Sequence, residues 1–159
     1  MNKLLAALGM ATITACATAG SGKMTGVQQQ MQVKAGNGKV VVIMVVANRT
    51  ARPVYVAKAV FEDDELFGRA FDLTNLDTNT PVDYIGPMVK RGPPTAADFI
   101  AVKPGATHSN VIDITRSYDF KPGTHRYQLT FAGNYLGNLA RLDSASQSAV
   151  APVTFTFTK

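Results

Sequence analysis

The sequence predicts an all-β fold, and more narrowly an antiparallel immunoglobulin-like β-sandwich of about seven to nine strands. Short runs rich in β-branched and aromatic residues recur along the chain, with turns about every 8–15 residues. Glycine, proline and asparagine cluster between these runs, and no segment keeps the 3.6-residue period of a helix. A closed barrel is the alternative, because the number of strands does not exclude closure of a single sheet.

The first half of the predicted domain begins with three strands. Residues 27–34 alternate weakly and predict a first strand at the edge of a sheet. Residues 39–47 are a continuous apolar run rich in β-branched residues, so we expect a central strand buried on both faces. The G-N-G sequence at 36–38 predicts a hairpin turn between them. After the turn cluster at 48–53, residues 54–61 predict the next strand.

The middle of the chain predicts loops and short extended pieces. An acidic loop at 62–65 is followed by a short strand at 66–73 and a polar, turn-rich stretch at 74–80. Residues 82–86 predict another short extended piece. Residues 87–97 contain three prolines, so we expect a long irregular loop there.

The last third predicts four strands around one long loop. The loop spans residues 134–148, and a helical turn is expected in it around 139–142. Residues 27–159 are long enough for one domain with its own core, and we expect a single domain. The four strands lie at 99–102, 107–115, 126–132 and 152–159.

The N-terminal residues predict an export signal that ends in a lipidation site. Lys3 precedes an apolar run of about 10 residues, which is too short to cross a bilayer as a helix but typical of a signal peptide. Cys16 is the only cysteine, and it closes an I-T-A-C sequence of the lipobox type. We therefore expect residues 1–15 to be removed, Cys16 to carry a diacylglycerol, and residues 16–26 to be a flexible tether. An ordinary signal peptide with an incidental cysteine is the alternative.

The expected location is the bacterial cell envelope, with the protein held by its lipid. The absence of aspartate after Cys16 favours the outer membrane, and the exported domain would fold without an internal disulfide. The formal net charge of +5 is spread along the chain. No basic stripe with interleaved aromatic residues appears, so nucleic-acid binding is not expected, and the basicity suits contact with anionic surfaces.

Tests for catalytic chemistry find no complete motif. His108 and His125 are the only histidines, and neither belongs to an H-E-x-x-H sequence. No G-x-S-x-G elbow occurs, although a Ser/His/Asp set that assembles only in space would leave a small hydrolase open. The acidic residues 63–65 are interpreted as a solvated turn rather than a calcium loop, and the N-R-T sequence at 48–50 as an accidental glycosylation sequon. We expect no catalytic residues, no metal and no cofactor.

One unusual segment, residues 84–95, is the candidate binding site. Its prolines pre-set an extended backbone, which lowers the entropy lost on binding a partner. Two adjacent cations offer donors for carboxylates. A rigid connecting loop with solvated charges is the alternative. The partner-binding candidates are Tyr84, Gly86, Pro87, Lys90, Arg91 and Pro94.

The same segment carries a resemblance. It matches the string Y-x-G-P-x-x-K-R-x-x-P-T-x-x-D-[YF]-I, and Pro-Gly and Tyr-Asp-Phe elements follow at 104–105, 118–120 and 122–124. Over roughly residues 40–133 the chain resembles the N-terminal β-sandwich pro-domain of deuterolysin-type (aspzincin) zinc metalloendopeptidases. That family often has Gly-Thr-Tyr after the last turn; here His125 follows Thr124, so the tyrosine's role passes to Tyr127 or is lost.

The resemblance implies binding without catalysis. In the family a zinc-bearing catalytic domain follows the pro-domain, whereas this chain reaches Lys159 without an H-E-x-x-H helix. We therefore expect a free-standing, non-enzymatic relative of the pro-domain that inhibits a secreted zinc metallopeptidase or assists its folding. The alternative is a structural or protein-interaction lipoprotein of the envelope with no peptidase partner.

Overall fold

Every strand pair within residues 26–159, the part of the chain that the computed structural model describes, is antiparallel. The all-β, sandwich-like fold is thereby confirmed. The predicted signal segment, Cys16 and all of the tether except Gly26 lie outside the described residues. The elements are β1 (Val27–Gly36), β2 (Lys39–Asn48), β3 (Val54–Ala57), α1 (Lys58–Phe61), β4 (Asp72–Asn75), β5 (Thr80–Pro81), a 3-10 turn (Ala96–Asp98), β6 (Phe99–Val102), β7 (Thr107–Asp113), β8 (Thr124–Thr130), β9 (Asn134–Leu136), β10 (Ala145–Gln147) and β11 (Val153–Thr158).

The strands form three sheets, with the orders β1-β2-β7, β10-β9-β3-β6 and β11-β8-β4-β5. None of these sheets closes on itself within the described residues, so they do not form the barrel that strand count alone left open. Side chains from all three sheets pack into one hydrophobic core. The strand count exceeds the prediction because β5, β9 and β10 are pieces of only two or three residues.

The β1–β2 hairpin follows the sequence prediction closely. β1 is an edge strand, and its turn residues Asn37 and Gly38 have φ values of 52° and 71°, as a two-residue type I′ turn requires. β2 is the central strand of its sheet, but it is not buried on both faces as predicted. Alternate residues such as Val42 and Met44 are fully buried, whereas Ile43 on the other face is only half-buried.

The strand predicted at 54–61 ends at Ala57, and α1 follows as a single helical turn. The turn brings the consecutive residues Val60 and Phe61 into the core, which an alternating strand could not do. Side chains of β7 hold it: Asn110 Nδ2 donates to Val60 O at 3.1 Å, and His108 Nε2 lies 2.6 Å from Phe61 O. The alternation of residues 54–61 therefore predicted the wrong element for its second half.

The strand predicted at 66–73 is also mostly absent. Leu66 and Phe71 are buried, but they lie in a loop, and the ladder begins only at Asp72. Core-filling loop residues explain this error, since a buried apolar side chain does not require a paired backbone. Residues 82–86, predicted as a short extended piece, form one isolated bridge, between Tyr84 and Tyr118.

The C-terminal strands match the prediction and the long loop does not. β6, β7, β8 and β11 lie where strands were expected. Within residues 134–148, β9 and β10 pair as a hairpin. Around 139–142 the chain forms a hydrogen-bonded turn, in which the Arg141 N–H donates to Asn138 O at 3.2 Å, but no helix. No helix among the described residues is long and apolar enough to cross a membrane.

Candidate functional site

The candidate segment forms a loop between β5 and β6, and its first residues are fixed to the core. We call residues 84–95 the proline loop. The backbone N–H groups of Ile85 and Gly86 donate to Ser117 O at 2.8 and 3.2 Å. Tyr84 bridges to Tyr118, and their rings lie edge-to-face with centroids 5.5 Å apart. The loop therefore starts from a rigid position next to a buried tyrosine.

Tyr84 faces inward and braces the loop rather than presenting itself to a partner. Its hydroxyl lies 2.9 Å from Leu66 O and 2.8 Å from Pro87 O, so its one hydrogen is shared between two carbonyl acceptors. Partial burial raises the pKa of Tyr84 above its usual value, which keeps the hydroxyl protonated as a donor. A predicted contact residue thus has a positioning role.

Gly86 is required by close packing, although its φ is not in the left-handed region. A Cβ at this position would lie 2.7 Å from the Tyr84 hydroxyl oxygen, 2.8 Å from its Cζ and 3.2 Å from Ser117 Cα. Real Cβ atoms do not approach so closely, so any side chain would push the tyrosine from its place. Gly86 and Tyr84 therefore act together in shaping the turn into Pro87.

The middle of the loop exposes apolar side chains. Met88 is 78% exposed and Val89 53%, and the backbone N–H of Val89 donates to Phe67 O at 3.2 Å. Phe67, itself 38% exposed, lies in the neighbouring 62–71 segment. We call Phe67, Met88, Val89 and Lys90 the Met88 surface. Large apolar side chains exposed side by side are typical of interaction surfaces.

The two cations of the loop have different surroundings. Arg91 Nη1 lies 3.8 Å from Oδ1 of Asp98 in the adjoining 3-10 turn, a weak, exposed ion pair. Lys90 is exposed and forms no ion pair with any residue in 26–159. Neither cation pairs with the acidic 62–65 loop. Lys90 is thus the cation of the loop that no carboxylate of the described residues neutralises.

The far end of the loop is closed by a capping box. Asp98 Oδ2 accepts hydrogen bonds from the Thr95 backbone N–H at 2.8 Å and from Thr95 Oγ1 at 3.0 Å. The first of these bonds is the main reason why the pKa of Asp98 lies below its usual value. Pro94, directly before Thr95, is exposed. The capping box and the Tyr84 brace hold the loop at both ends.

A cavity of about 540 Å³ lies beside Pro87. Lys39, Arg116, Asp113 and Glu65 line it, so both signs of charge are present. Burial raises the pKa of Asp113, but hydrogen bonds from Thr115 outweigh that effect and the pKa lies below the usual range. The cavity is an open, mixed-charge recess, in which the Thr115 hydroxyl donates a hydrogen bond to Asp113 Oδ1 at 2.5 Å.

The residues tested for metal chemistry have structural contacts. In the described part of the chain, no three His, Cys, Asp or Glu side chains gather in a group that could hold a metal ion. His108 contacts α1, and His125 Nε2 lies 2.9 Å from Pro122 O. In the acidic loop, the backbone carbonyls of Asp63 and Asp64 accept hydrogen bonds from Asn110 Nδ2 and the Asp113 N–H. The loop is thereby fastened to β7.

The sequon asparagine has a structural role. Asn48 is fully buried, and its Nδ2 donates to Arg52 O and Val102 O, both at 2.8 Å. Its Oδ1 accepts from the Thr50 N–H at 3.0 Å and from Thr50 Oγ1 at 2.7 Å. An amide with both ends engaged in the interior is not available for glycosylation.

The structure therefore divides the six predicted contact residues. Tyr84 and Gly86 brace the loop, Arg91 pairs with Asp98, and the exposed residues Pro87, Lys90 and Pro94 remain as candidate contacts. Sequence reasoning missed the apolar part of the surface, namely Phe67, Met88 and Val89. The one signal in the sequence was a pair of apolar residues between prolines in a polar loop. No family model matches the chain, and no curated protein matches it.

Proposed function

We propose that this chain is a non-enzymatic binding module of the bacterial envelope. Its partner would be a secreted zinc metallopeptidase of the deuterolysin type, which it inhibits or helps to fold. A lipid on Cys16 would keep the module at the membrane, which we expect to be the outer membrane. The observation that supports binding most directly is the exposure of Met88, Val89 and Lys90 on a braced loop.

The bracing matters because it lowers the entropic cost of association. Ordering a flexible side chain or loop at an interface costs about 0.5–1.5 kcal/mol for each immobilised side chain. Here the hydrogen bonds of Tyr84 and the capping box of Asp98 fix the backbone in advance. A partner would then need to order little more than the side chains of the Met88 surface.

The composition of the surface indicates the kind of partner site that it fits. Methionine and aromatic side chains are enriched at interfaces, and a cation at the rim favours a partner with carboxylates nearby. Met88 and Val89 would enter an apolar depression, and Lys90 would lie close to an acidic side chain. Such an arrangement suits the outer surface or the cleft of a folded peptidase domain.

An activity assay with a purified deuterolysin-type peptidase tests the proposal. The full chain, kept in a mild detergent, is titrated into the active enzyme, and into the unfolded enzyme during refolding. We expect slower peptide hydrolysis in the first case or a higher recovered activity in the second. Met88→Asp and Lys90→Glu should each weaken the effect about tenfold, whereas the exposed control Lys103→Glu should not.

Two results would count against the proposal. No effect on activity or refolding at micromolar concentrations, with no complex on a sizing column, would remove the peptidase partner. Recovery of only cell-wall or membrane proteins through the same surface would favour the structural or protein-interaction lipoprotein instead.

A further inference from the structure

The outer edge of β1 presents unpaired backbone groups. β1 pairs only with β2 in residues 26–159, in a continuous register without a bulge. The Arg49 N–H donates to Gly26 O at 2.9 Å. Because hydrogen-bonded pairs alternate along an antiparallel ladder, the even-numbered residues of β1 are the ones that hydrogen-bond to β2. The backbone N–H and C=O groups of Val27, Gln29 and Met31 therefore point away from β2.

The first part of this edge lacks the proline and the charged residues that commonly protect edge strands. Residues 27–32 contain no proline and no charge, and the strand's one charged residue is Lys34. The opposite edge of the same sheet is covered, since α1 and the acidic loop accept hydrogen bonds from Asn110 and Asp113 of β7. The two edges of this sheet therefore differ in how far other segments cover them.

A groove of about 440 Å³ runs along the open part of β1. Residues 27–32 form one wall, and the segment that leads into β11 forms the other, with Ser148, Ala149 and Ala151. No residue that lines the groove is charged. Further along, β11 runs beside β1, and a separate, smaller cavity of about 260 Å³ lies between residues 35–38 and 156–158. The groove therefore suits a short extended chain rather than a long strand.

Gln29 places a buried, unsatisfied acceptor beside this groove. Its side chain is 4% exposed, and Nε2 donates to Gly133 O at 2.9 Å. Gly133 is fixed in turn, since its carbonyl accepts the Ser148 N–H at 2.9 Å. The Oε1 atom of Gln29 has no hydrogen-bond partner among the described residues. Buried acceptors rarely remain unpaired, so this atom points to a donor supplied from outside the domain.

We propose that this groove binds an uncharged, extended peptide segment of a partner protein. The segment adds as a strand to β1 at Val27, Gln29 and Met31, and one of its N–H groups donates to Gln29 Oε1. Backbone pairing gives the affinity, and the small side chains of the opposite wall leave room for the peptide's own side chains. None of these residues belongs to the Met88 surface, so the inference does not depend on the proposed function.

The occupant follows from the chemistry of the groove. The six outward backbone groups, an N–H and a C=O on each of Val27, Gln29 and Met31, are matched only by another extended backbone. The uncharged lining gives no compensation for a buried charge, so acidic and basic segments are disfavoured. A second copy of the domain is a less suitable occupant, because β11 limits the length of strand that its β1 could pair.

Binding of a model peptide tests the inference. The probe is an acetylated, amidated heptapeptide of alternating valine and threonine, added to the full chain in a mild detergent. We expect a dissociation constant below about 1 mM and about tenfold slower hydrogen exchange at Val27, Gln29 and Met31. Two N-methylated versions of the peptide, one methylated on the valines and one on the threonines, should differ in affinity. Only one of these two sets of N–H groups faces β1.

A matched pair of variants locates the site. Val27→Pro removes an outward N–H without breaking the ladder to β2, so it should weaken peptide binding about fivefold or more. Val27→Ala keeps that N–H and should change the affinity less than about twofold. Equal binding of both N-methylated peptides, or no binding at 1 mM, would overturn the inference. If the native chain forms a dimer that Val27→Pro disrupts, the β1 edge binds a second copy, and the inference is overturned as well.

Discussion

Tyr84 and Tyr118 are paired through both their backbones and their rings, which lie edge-to-face at 5.5 Å. The Tyr118 hydroxyl donates to Phe71 O at 2.7 Å, and the Tyr84 hydroxyl reaches Leu66 O at 2.9 Å. The two tyrosines therefore fasten both ends of the 66–71 segment to the start of the proline loop. The Met88 surface is built on this connection, because Phe67 lies in that segment.

Tyr118→Phe should lower the stability of the whole domain. Tyr118 is buried, and its hydroxyl also accepts from the Phe71 N–H at 3.3 Å, so the variant leaves two buried backbone groups unpaired. We expect a loss of about 1–3 kcal/mol in the free energy of unfolding, measured by urea denaturation. Tyr84→Phe, at a less buried site, should cost less stability but weaken partner binding. Equal stability of the two variants would contradict this division of roles.

Gly86→Ala should disturb the brace directly. The new Cβ would lie 2.7 Å from the Tyr84 hydroxyl oxygen, so the tyrosine has to move and its two carbonyl contacts are lost. We expect a destabilisation of about 1–3 kcal/mol and a weaker interaction with the partner. Gly92→Ala is the matched control, since a Cβ there meets nothing within 4 Å. If both alanine variants behave alike in thermal unfolding, close packing does not explain Gly86.

Asn48→Ala should be among the most harmful polar substitutions. Its side chain satisfies the carbonyls of Arg52 and Val102 and accepts two hydrogen bonds from Thr50 in the interior. Removing it should cost about 2 kcal/mol or more, because buried backbone groups lose their partners. Asn138→Ala is the control, because Asn138 is exposed and its Oδ1 accepts one hydrogen bond. This variant should change the free energy of unfolding by less than about 0.5 kcal/mol.

Acid should destabilise the fold through carboxylates whose pKa values are depressed in the native state. The Arg126 backbone N–H is the main cause for Asp77, and the Thr95 backbone N–H for Asp98. A depressed folded pKa gives stability that is present above about pH 4, the unfolded value, and is lost as the pH falls through the folded pKa. The midpoint of thermal unfolding should stay level from pH 7 to pH 5 and fall below about pH 4.

Asp77→Asn gives the control for that acid dependence. Asp77 accepts hydrogen bonds from both the backbone N–H and Nε of Arg126, at 2.9 Å each. The variant loses the charged acceptor, so its unfolding midpoint should fall less steeply below pH 4 than that of the native chain. An unchanged slope would show that Asp77 does not contribute to the pH dependence.

Sequence patterns predicted strands well where local alternation and tertiary burial agree. β8 and β11 alternate cleanly, and their inward residues Tyr127, Leu129, Phe155 and Phe157 are buried. The pattern failed at α1, because residues 54–61 alternate like a strand while contacts from β7 impose a turn. It also failed for β9 and β10, which have only three residues each and therefore show no clear alternation.

The irregular loop that carries the candidate residues was predicted in position, but the contacts of its side chains were not. The proline loop is irregular and exposed, as its prolines indicate. Which of its side chains point outward depends on distant residues: Ser117 and Tyr118 draw Tyr84 and Gly86 inward, and Asp98 holds Arg91. Such contacts cannot be read from local pattern, so Met88 and Val89 emerge as surface residues only in the folded domain.

Direct binding to a purified deuterolysin-type peptidase tests the central claim. The chain is immobilised, and the dissociation constant is measured for the native protein, for Met88→Asp with Lys90→Glu, and for the control Lys103→Glu. We predict a dissociation constant of about 1 μM or tighter for the native protein, at least tenfold weaker binding for the double variant, and unchanged binding for Lys103→Glu. No binding at about 100 μM, or equal binding by all three proteins, would contradict the claim that the Met88 surface binds such a peptidase.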